Sequence, residues 1–407
     1  MLYLLLSVII VGGMFSSPFP VAYGVQEAYI GIGLMIFSFN SLRFLLRGIG
    51  TGSMLIYFSF IWLVCIPTLM AIVNQNTISN YVRDIVPLMY IFLPLILLPY
   101  IERKAGHRHV IMIGTAMYIA GVAISWRYIL AQNTPISEFG HAYQIVDFTL
   151  AYDPLVSFVS IVGISLALTL LMSRRKYKLL LASSIAIVSL TSLIPPIGVV
   201  QRVPLVMISL SLILYVFIKG KDRPVLYFYS TVLMVFVLFG YWDVLSGAVL
   251  QMIEKTSVHG INGKVYELLR IIEVMSGSVG NLLFGIGWGG VYYNEVLNGD
   301  VRFTHSIITF ILLKTGVLGF MIFFVYIIWF MDKLIKTSVF CYKYKKEWLP
   351  VCFYMYTVLL ISLFQPIYKT LSFGLSMMFI LFIFHAFNVN KKHSKKVSIL
   401  NKGSQNA

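Results

Sequence analysis

Met54-Leu55-Ile56-Tyr57-Phe58-Ser59-Phe60-Ile61-Trp62-Leu63-Val64-Cys65-Ile66-Pro67-Thr68-Leu69-Met70-Ala71-Ile72-Val73 carries no charged side chain. A helix needs roughly 20 predominantly apolar residues to cross a bilayer's hydrocarbon, so this stretch reads as a membrane span, 53–73. Runs of similar character recur along the whole chain. They predict further spans near 2–16, 27–42, 85–100, 109–126, 154–172, 179–197, 203–218, 225–249, 303–330, 350–365 and 373–389. The composition agrees: 407 residues, 59% hydrophobic and 11% charged, cannot cover a water-exposed globule with polar surface. The expected fold is an all-α integral membrane protein of about twelve transmembrane helices. The apolar start, Met1 to Leu6, has no basic segment and no small-residue cleavage site, so it is read as a retained first span.

The net charge of +16 needs a reason other than nucleic acid, because no soluble stretch is long enough to present a basic face. Topology supplies it, since Lys and Arg gather in cytoplasmic loops. With the N-terminus inside, alternate loops hold Arg43 and Arg47; Arg103, Lys104 and Arg108; Arg174, Arg175, Lys176 and Lys178; and Lys219, Lys221 and Arg223. The series continues with a cluster from Lys333 to Lys346 and a tail from Lys391 to Lys402, expected to be disordered. That places 22 of 31 basic residues inside, predicts both termini in the cytoplasm, and turns these residues toward anionic lipid headgroups. Cys65, Cys341 and Cys352 show no CxxC spacing, so neither a disulfide framework nor a zinc site is indicated.

Four regions follow: spans one to nine in 1–249, a long external loop in 250–302, spans ten to twelve in 303–389, and a basic tail in 390–407. Long loops on a compact scaffold usually carry function. Within this one, Val265, Leu268, Ile272 and Met275 recur at helical spacing, with Lys264, Glu267, Arg270 and Glu273 elsewhere on the turn. The pattern predicts a short amphipathic helix over 263–275, lying on the membrane or capping a cavity, with Glu267 and Glu273 in surface pairs.

The loop then runs Leu283-Phe284-Gly285-Ile286-Gly287-Trp288-Gly289-Gly290, followed by Phe303-Thr304-His305-Ser306 and Lys314-Thr315-Gly316-Val317-Leu318-Gly319. No predicted strand precedes the glycines, so they are no dinucleotide fingerprint; taken alone they suit a tight turn where backbones approach closely. Together, over about residues 190–325, these segments and Gln201-Arg202 resemble the O-antigen ligase and Wzy-type polymerase superfamily. There a glycine-rich turn precedes a histidine that opens a helix, and a lone basic residue stands upstream at a helix mouth. Two positions depart from that pattern. Ser306 stands where Asn is common, and Asn262-Gly263-Lys264 replaces Ser-Gly-Arg, leaving open whether Lys264 or Arg270 takes the arginine's part.

The candidate residues can also be weighed on their own chemistry. His305 can accept a proton from a sugar hydroxyl near neutral pH, or it can be an interfacial histidine bonded to a carbonyl. Arg202, at a span boundary, suits diphosphate oxygens, or it can snorkel to headgroups. Arg302 is a candidate for lipid phosphate, Glu27 a weaker alternative base, and His259 a solvated loop residue. Asp147, Asp153 and Glu295 read as loop charges. No DxD and no phosphate loop of the GxxxxGK[ST] type is present, so neither a metal nor another cofactor is expected.

The resemblance implies a GT-C-like polymerase in a bacterial inner membrane, joining undecaprenyl-diphosphate-linked oligosaccharides at the outer face. His305 would deprotonate the acceptor, and Arg202, with Lys264 or Arg270, would hold the diphosphate. Arg302 and the turn of Gly285, Gly287 and Gly289 would contribute to substrate binding. Its partners would be that lipid-linked sugar, membrane lipids and, in some systems, a chain-length regulator; nucleic acid is not among them. An O-antigen ligase, transferring polymer to lipid A core, is the nearest alternative. A lipid-linked oligosaccharide flippase is the alternative from another class. It would show two related halves and midplane charges, for which Lys314 is the one candidate.

Overall fold

The computed structural model describes residues 2–17, 24–45, 51–131, 148–171, 176–199, 201–220, 262–294, 299–302 and 304–403. The expected span 225–249, His259, Asp147 and Glu295 lie outside the described residues. Among the described residues, six helical stretches are long and apolar enough to cross a membrane: Met54–Val73, His107–Ala131, Pro154–Leu171, Lys178–Gly198, Arg202–Gly220 and Ile307–Tyr344. Leu2–Phe15, Val25–Ile36 and Leu371–Phe387 are shorter apolar helices. The chain is a helical membrane protein, and its outward faces bear the residues that lipid favours. Ile61, Ile72, Leu180, Ile187, Val206 and Met321 are all exposed, as they can be where the solvent is hydrocarbon.

In chain order the helices are α1 (Leu2–Phe15), α2 (Val25–Leu45), α3 (Thr51–Val73), α4 (Ile78–Ile91), α5 (Leu93–Ile96), α6 (Leu98–Lys104) and α7 (His107–Ala131). After a 3-10 turn come α8 (Pro154–Phe158), a π segment (Val159–Gly163), α9 (Ile164–Leu171), α10 (Lys176–Thr191), α11 (Ile194–Gly198) and α12 (Arg202–Gly220). The last group is α13 (Asn262–Ser276), α14 (Val279–Phe284), α15 (Ile307–Tyr344), α16 (Leu349–Ser362) and α17 (Leu371–Gly403).

The start of α17 forms the centre, because Phe373 and the run from Met377 to Ile383 are all but inaccessible, a helix apolar and buried on every side. Around it α4 to α7, α15 and α16 pack. Small residues let these backbones close in. A Cβ on Gly121 would lie 2.4 Å from the Leu155 carbonyl oxygen, and one on Gly374 would lie 2.1 Å from that of Tyr90.

Contacts between helix ends close both ends of the bundle. The His107 ring packs on Trp348 at 6.2 Å, joining two basic loops at one end of the bundle. At the other, Arg127 donates to the carbonyls of Gly13 and Ser16 at 3.0 and 2.8 Å, and Ser372 donates to Asp153 at 2.8 Å.

Several expectations need correcting. The span 85–100 begins at Ile78 and is broken into α4, α5 and α6, with Pro94 and Pro99, which lack a backbone donor, opening the second and third pieces, while Pro87 lies within α4. The span 303–330 runs on to Tyr344, so most of the Lys333 to Lys346 cluster is helix and not loop. The basic tail is helical to Gly403. The long loop contains a two-stranded antiparallel hairpin, Tyr292–Asn294 with Gly299–Val301. The amphipathic helix is present as α13, with a different buried face. Glu267, Ile271 and Met275 point inward, while Leu268 and Ile272 are exposed, because the carboxylate has a polar partner inside and the apolar side chains can face lipid.

Candidate functional site

The glycine turn and the break in α15 explain one another. Gly316 interrupts α15 at φ 67°, which frees carbonyls that a continuous helix would use. Away from water such groups need partners. Ile286 and Gly287 supply them, donating to the Leu313 and Lys314 carbonyls at 3.0 and 3.1 Å. Contact this close is possible only where Cβ atoms are missing. A Cβ on Gly285 would stand 2.4 Å from the Lys314 carbonyl carbon, and one on Gly287 would stand 2.4 Å from the Ala71 nitrogen. Gly285, Gly287 and Gly289 all have positive φ, between 76° and 81°, a conformation that favours glycine. The three glycines therefore place backbone against α15, α3 and α4.

A second repair of the same kind anchors Trp288. Pro67 lacks an N–H, so the carbonyl of Leu63 one turn earlier in α3 loses its helical donor. The Trp288 indole N–H donates to it at 3.0 Å. Asn76 fixes the turn from the far side, giving its amide protons to the Ile286 and Trp288 carbonyls, each at 3.0 Å.

This framework carries a buried charge cluster. Asp84 on α4 is fully buried. Its carboxylate accepts from the Gly289 N–H at 2.8 Å and pairs with Lys314 of α15 at 2.8 Å and Arg302 at 3.0 Å. Lys314, also fully buried, donates as well to the Gly290 carbonyl. The intramembrane charge of Lys314 is thus matched by a carboxylate, as buried charges must be. Lys369, on the 3-10 turn Pro366–Lys369 between α16 and α17, adds a further cation. Its ammonium lies over the Phe310 and Tyr368 rings at 5.3 and 5.7 Å. Burial pushes it down to about 7; Arg302 and Lys314 act the same way, and Asp84 and Glu267 oppose them.

Beside this cluster stands His305, immediately before the N-cap Ser306 of α15. Its side chain is about half exposed, at 48%, and its Nδ1 lies 2.6 Å from Glu267, whose side chain is 5% exposed. The same carboxylate accepts the His305 backbone N–H at 3.1 Å and the Thr309 hydroxyl at 3.4 Å. The expectation that Glu267 forms a surface pair is corrected: it faces inward, while Arg270 pairs with Glu273 on the outer side of α13. Glu267 also helps to raise the Tyr292 phenol to about 12, after the larger effect of burial. Tyr368 donates to the Thr304 carbonyl at 2.9 Å, tying the residue before His305 to the turn that holds Lys369.

The structure therefore gathers His305, Arg302 and the three glycines in one place. Arg202 opens α12, half-buried, on a helix that packs against α16 through Ser211 and Thr357 at 3.0 Å. Lys264 lies in the first turn of α13. Glu27 accepts from the Gly24 N–H and the Ser16 hydroxyl, both at 2.8 Å, closing the start of α2. Asp153 is corrected from loop charge to buried N-cap, accepting from the Leu155 N–H at 2.8 Å.

Sequence reasoning missed Asp84, Lys369 and the inward turn of Glu267. Asp84 had a signal: it is an acidic residue at the edge of an apolar run, and such residues mark function or a buried partner. Lys369 sits in a short loop, where a lone lysine looks ordinary.

Chemically, the arrangement offers a proton acceptor on a carboxylate support next to three cations, Arg302, Lys314 and Lys369, of which Asp84 neutralises one charge. Such a site suits an anion beside a hydroxyl to be deprotonated. No protein-family model matches the chain, and no curated protein matches it.

Proposed function

We propose that this protein is a Wzy-type polysaccharide polymerase of a bacterial inner membrane. In this reading it has about twelve spans in a GT-C-like arrangement, both termini in the cytoplasm and its site at the outer face. The observation that carries the reading is the carboxylate-held His305 beside a cationic surplus, at the bundle end opposite the basic loops.

The acceptor is the hydroxyl of one undecaprenyl-diphosphate-linked oligosaccharide, and the donor is the sugar chain on another. His305 takes the hydroxyl proton as the oxygen attacks the donor's anomeric carbon. The bond from that carbon to the phosphate oxygen breaks, and its electron pair leaves on the diphosphate. Arg302 and Lys369, with Arg202 from the sequence resemblance, offset that charge. Lys314 is kept to hold Asp84, and through it the glycine turn.

The test is the surface polysaccharide profile of a deletion strain complemented with wild type, His305→Ala or Arg302→Ala, with protein levels matched. A single repeat unit on the lipid core is the expected result for the variants. Wild-type chain lengths in both would sink the reading, and long polymer held on the lipid carrier would make the protein the ligase.

A further inference from the structure

The structure assigns Glu267 a positioning role: it holds His305 in the one tautomer and orientation that lets the ring accept the substrate proton. This inference rests on the proposed role of His305. It stands on the way the carboxylate is divided among its donors. Oε1 accepts the His305 backbone N–H at 3.1 Å, and the Thr309 hydroxyl, 3.4 Å from it, shares its proton with the Ser306 carbonyl at 3.1 Å. Oε2 lies 2.6 Å from Nδ1 of the His305 ring.

A carboxylate can only accept, so Nδ1 must bring the proton, and the ring's lone pair is then on Nε2. The acceptor hydroxyl's proton passes to Nε2 as its oxygen forms the new bond to the anomeric carbon. The imidazolium so formed sits against the Glu267 charge. Glu267 also lies at the N-terminal end of α15, where a negative charge is favoured by the helix dipole.

Glu267 reaches this place because α13 is seated by a small core of its own. Ile271 and Met275, one and two turns further along the same face, pack with Ile286, Tyr292 and Leu313, apart from the main core. The proton acceptor is thus assembled from two elements, with α15 bringing the ring and α13 the group that orients it. Tyr292 and Tyr368, both held neutral by burial, and Lys369 also feel the Glu267 charge.

The division of donors makes the isosteric variant decisive. In Glu267→Gln the amide oxygen is needed where Oε1 now takes the His305 backbone N–H. The NH2 then faces Nδ1 and demands an acceptor there. The ring must move its proton to Nε2 and can no longer receive one from substrate. A merely structural role for Glu267 would leave the tautomer alone.

The full chain, labelled with ring-15N histidine, is reconstituted in lipid nanodiscs at about pH 8.5 for 15N NMR. The chain has seven histidines, and His305→Gln assigns the signals of His305. The expected result is an unprotonated Nε2 in the wild type and a protonated Nε2 in Glu267→Gln. Should the variant not fold, the wild-type spectrum still decides, because a protonated Nε2 there would overturn the inference. The same tautomer in both proteins would overturn it as well. The polysaccharide profile of the same two variants is read in parallel. Normal polymer from His305→Gln would overturn the proposed function, and the tautomer result would still stand for or against Glu267.

Discussion

Asp84 and Asp153 are both buried carboxylates near the same end of the bundle, and the protein treats them differently. Asp84 is surrounded by cations and a backbone N–H, so its charge is compensated. Among the described residues, Asp153 has neutral hydrogen-bond donors in contact, the Leu155 N–H and the Ser372 hydroxyl. Burial pushes its carboxyl up to about 6, with those donors and the more distant Arg127 charge only partly opposing. One carboxylate organises charge and the other caps a helix. A buried acid in this bundle is therefore informative through what faces it, not through burial alone.

The contrast breaks first at Asp84. Asp84→Ala leaves Lys314 buried without its counter-charge, removes the paired charge from Arg302 and takes an acceptor from Gly289. Removing one partner of a buried pair costs about 3–5 kcal/mol, so a steep fall in folded yield and in the melting temperature in detergent is expected. The account of the cluster fails if that variant melts like the wild type.

Gly287→Ala tests the frame that presents Asp84 to its partners. The added methyl meets the Ala71 nitrogen at 2.4 Å, at a φ of 77°. Backbone strain alone costs about 1–3 kcal/mol, and the clash adds to it. A melting temperature within error of wild type would show that the turn can relax away from α3.

Asp153→Asn should cost much less, at most about 1 kcal/mol near neutral pH, because Asn is as good an N-cap as Asp. The pH dependence carries the sharper information. The folded state raises this carboxyl from its ordinary 3.8 to about 6, so it binds the proton more tightly than the unfolded chain does. That stabilisation is fully present below the ordinary value and is lost as pH rises through about 6. The wild type should lose stability relative to Asp153→Asn over that window, measured as the difference between their melting curves. A constant difference would contradict the assignment.

The smallest effect is expected at Arg270→Ala. Its pair with Glu273 is one turn apart on α13, with Arg270 half-buried and Glu273 exposed, and such pairs near the surface contribute up to about 1 kcal/mol.

Much of this was readable in the sequence, and the boundary has a physical cause. Apolar runs announce membrane helices because hydrocarbon length is fixed, so 53–73, 109–126 and 203–218 reappear with small shifts in their ends. The glycine turn and His305, close in sequence, do come together in space beside Asp84 and Glu267. The inward face of α13 was misread because periodicity ranks side chains by apolarity, and in a bilayer the outward side is apolar too. Glu267 and Leu268 then exchange the places they would hold on a soluble protein. Asp84 and Lys369 escaped for another reason. They are separated by 285 positions in sequence and become one cluster only when α4, α15 and the turn before α17 pack together.

That cluster makes the central claim measurable. Lys369, held down to about 7, is charged below that pH and neutral above it, so an anion should bind more tightly in mild acid and take up a proton as it binds. The direct measurement is the thermal shift given to the purified protein in nanodiscs by undecaprenyl diphosphate, at about pH 6 and about pH 8.5, for wild type and Lys369→Met. The account predicts a stabilising shift in the wild type that is larger at the lower pH, and a small, pH-independent one in Lys369→Met. Equal shifts in both proteins at both pH values would place the diphosphate elsewhere.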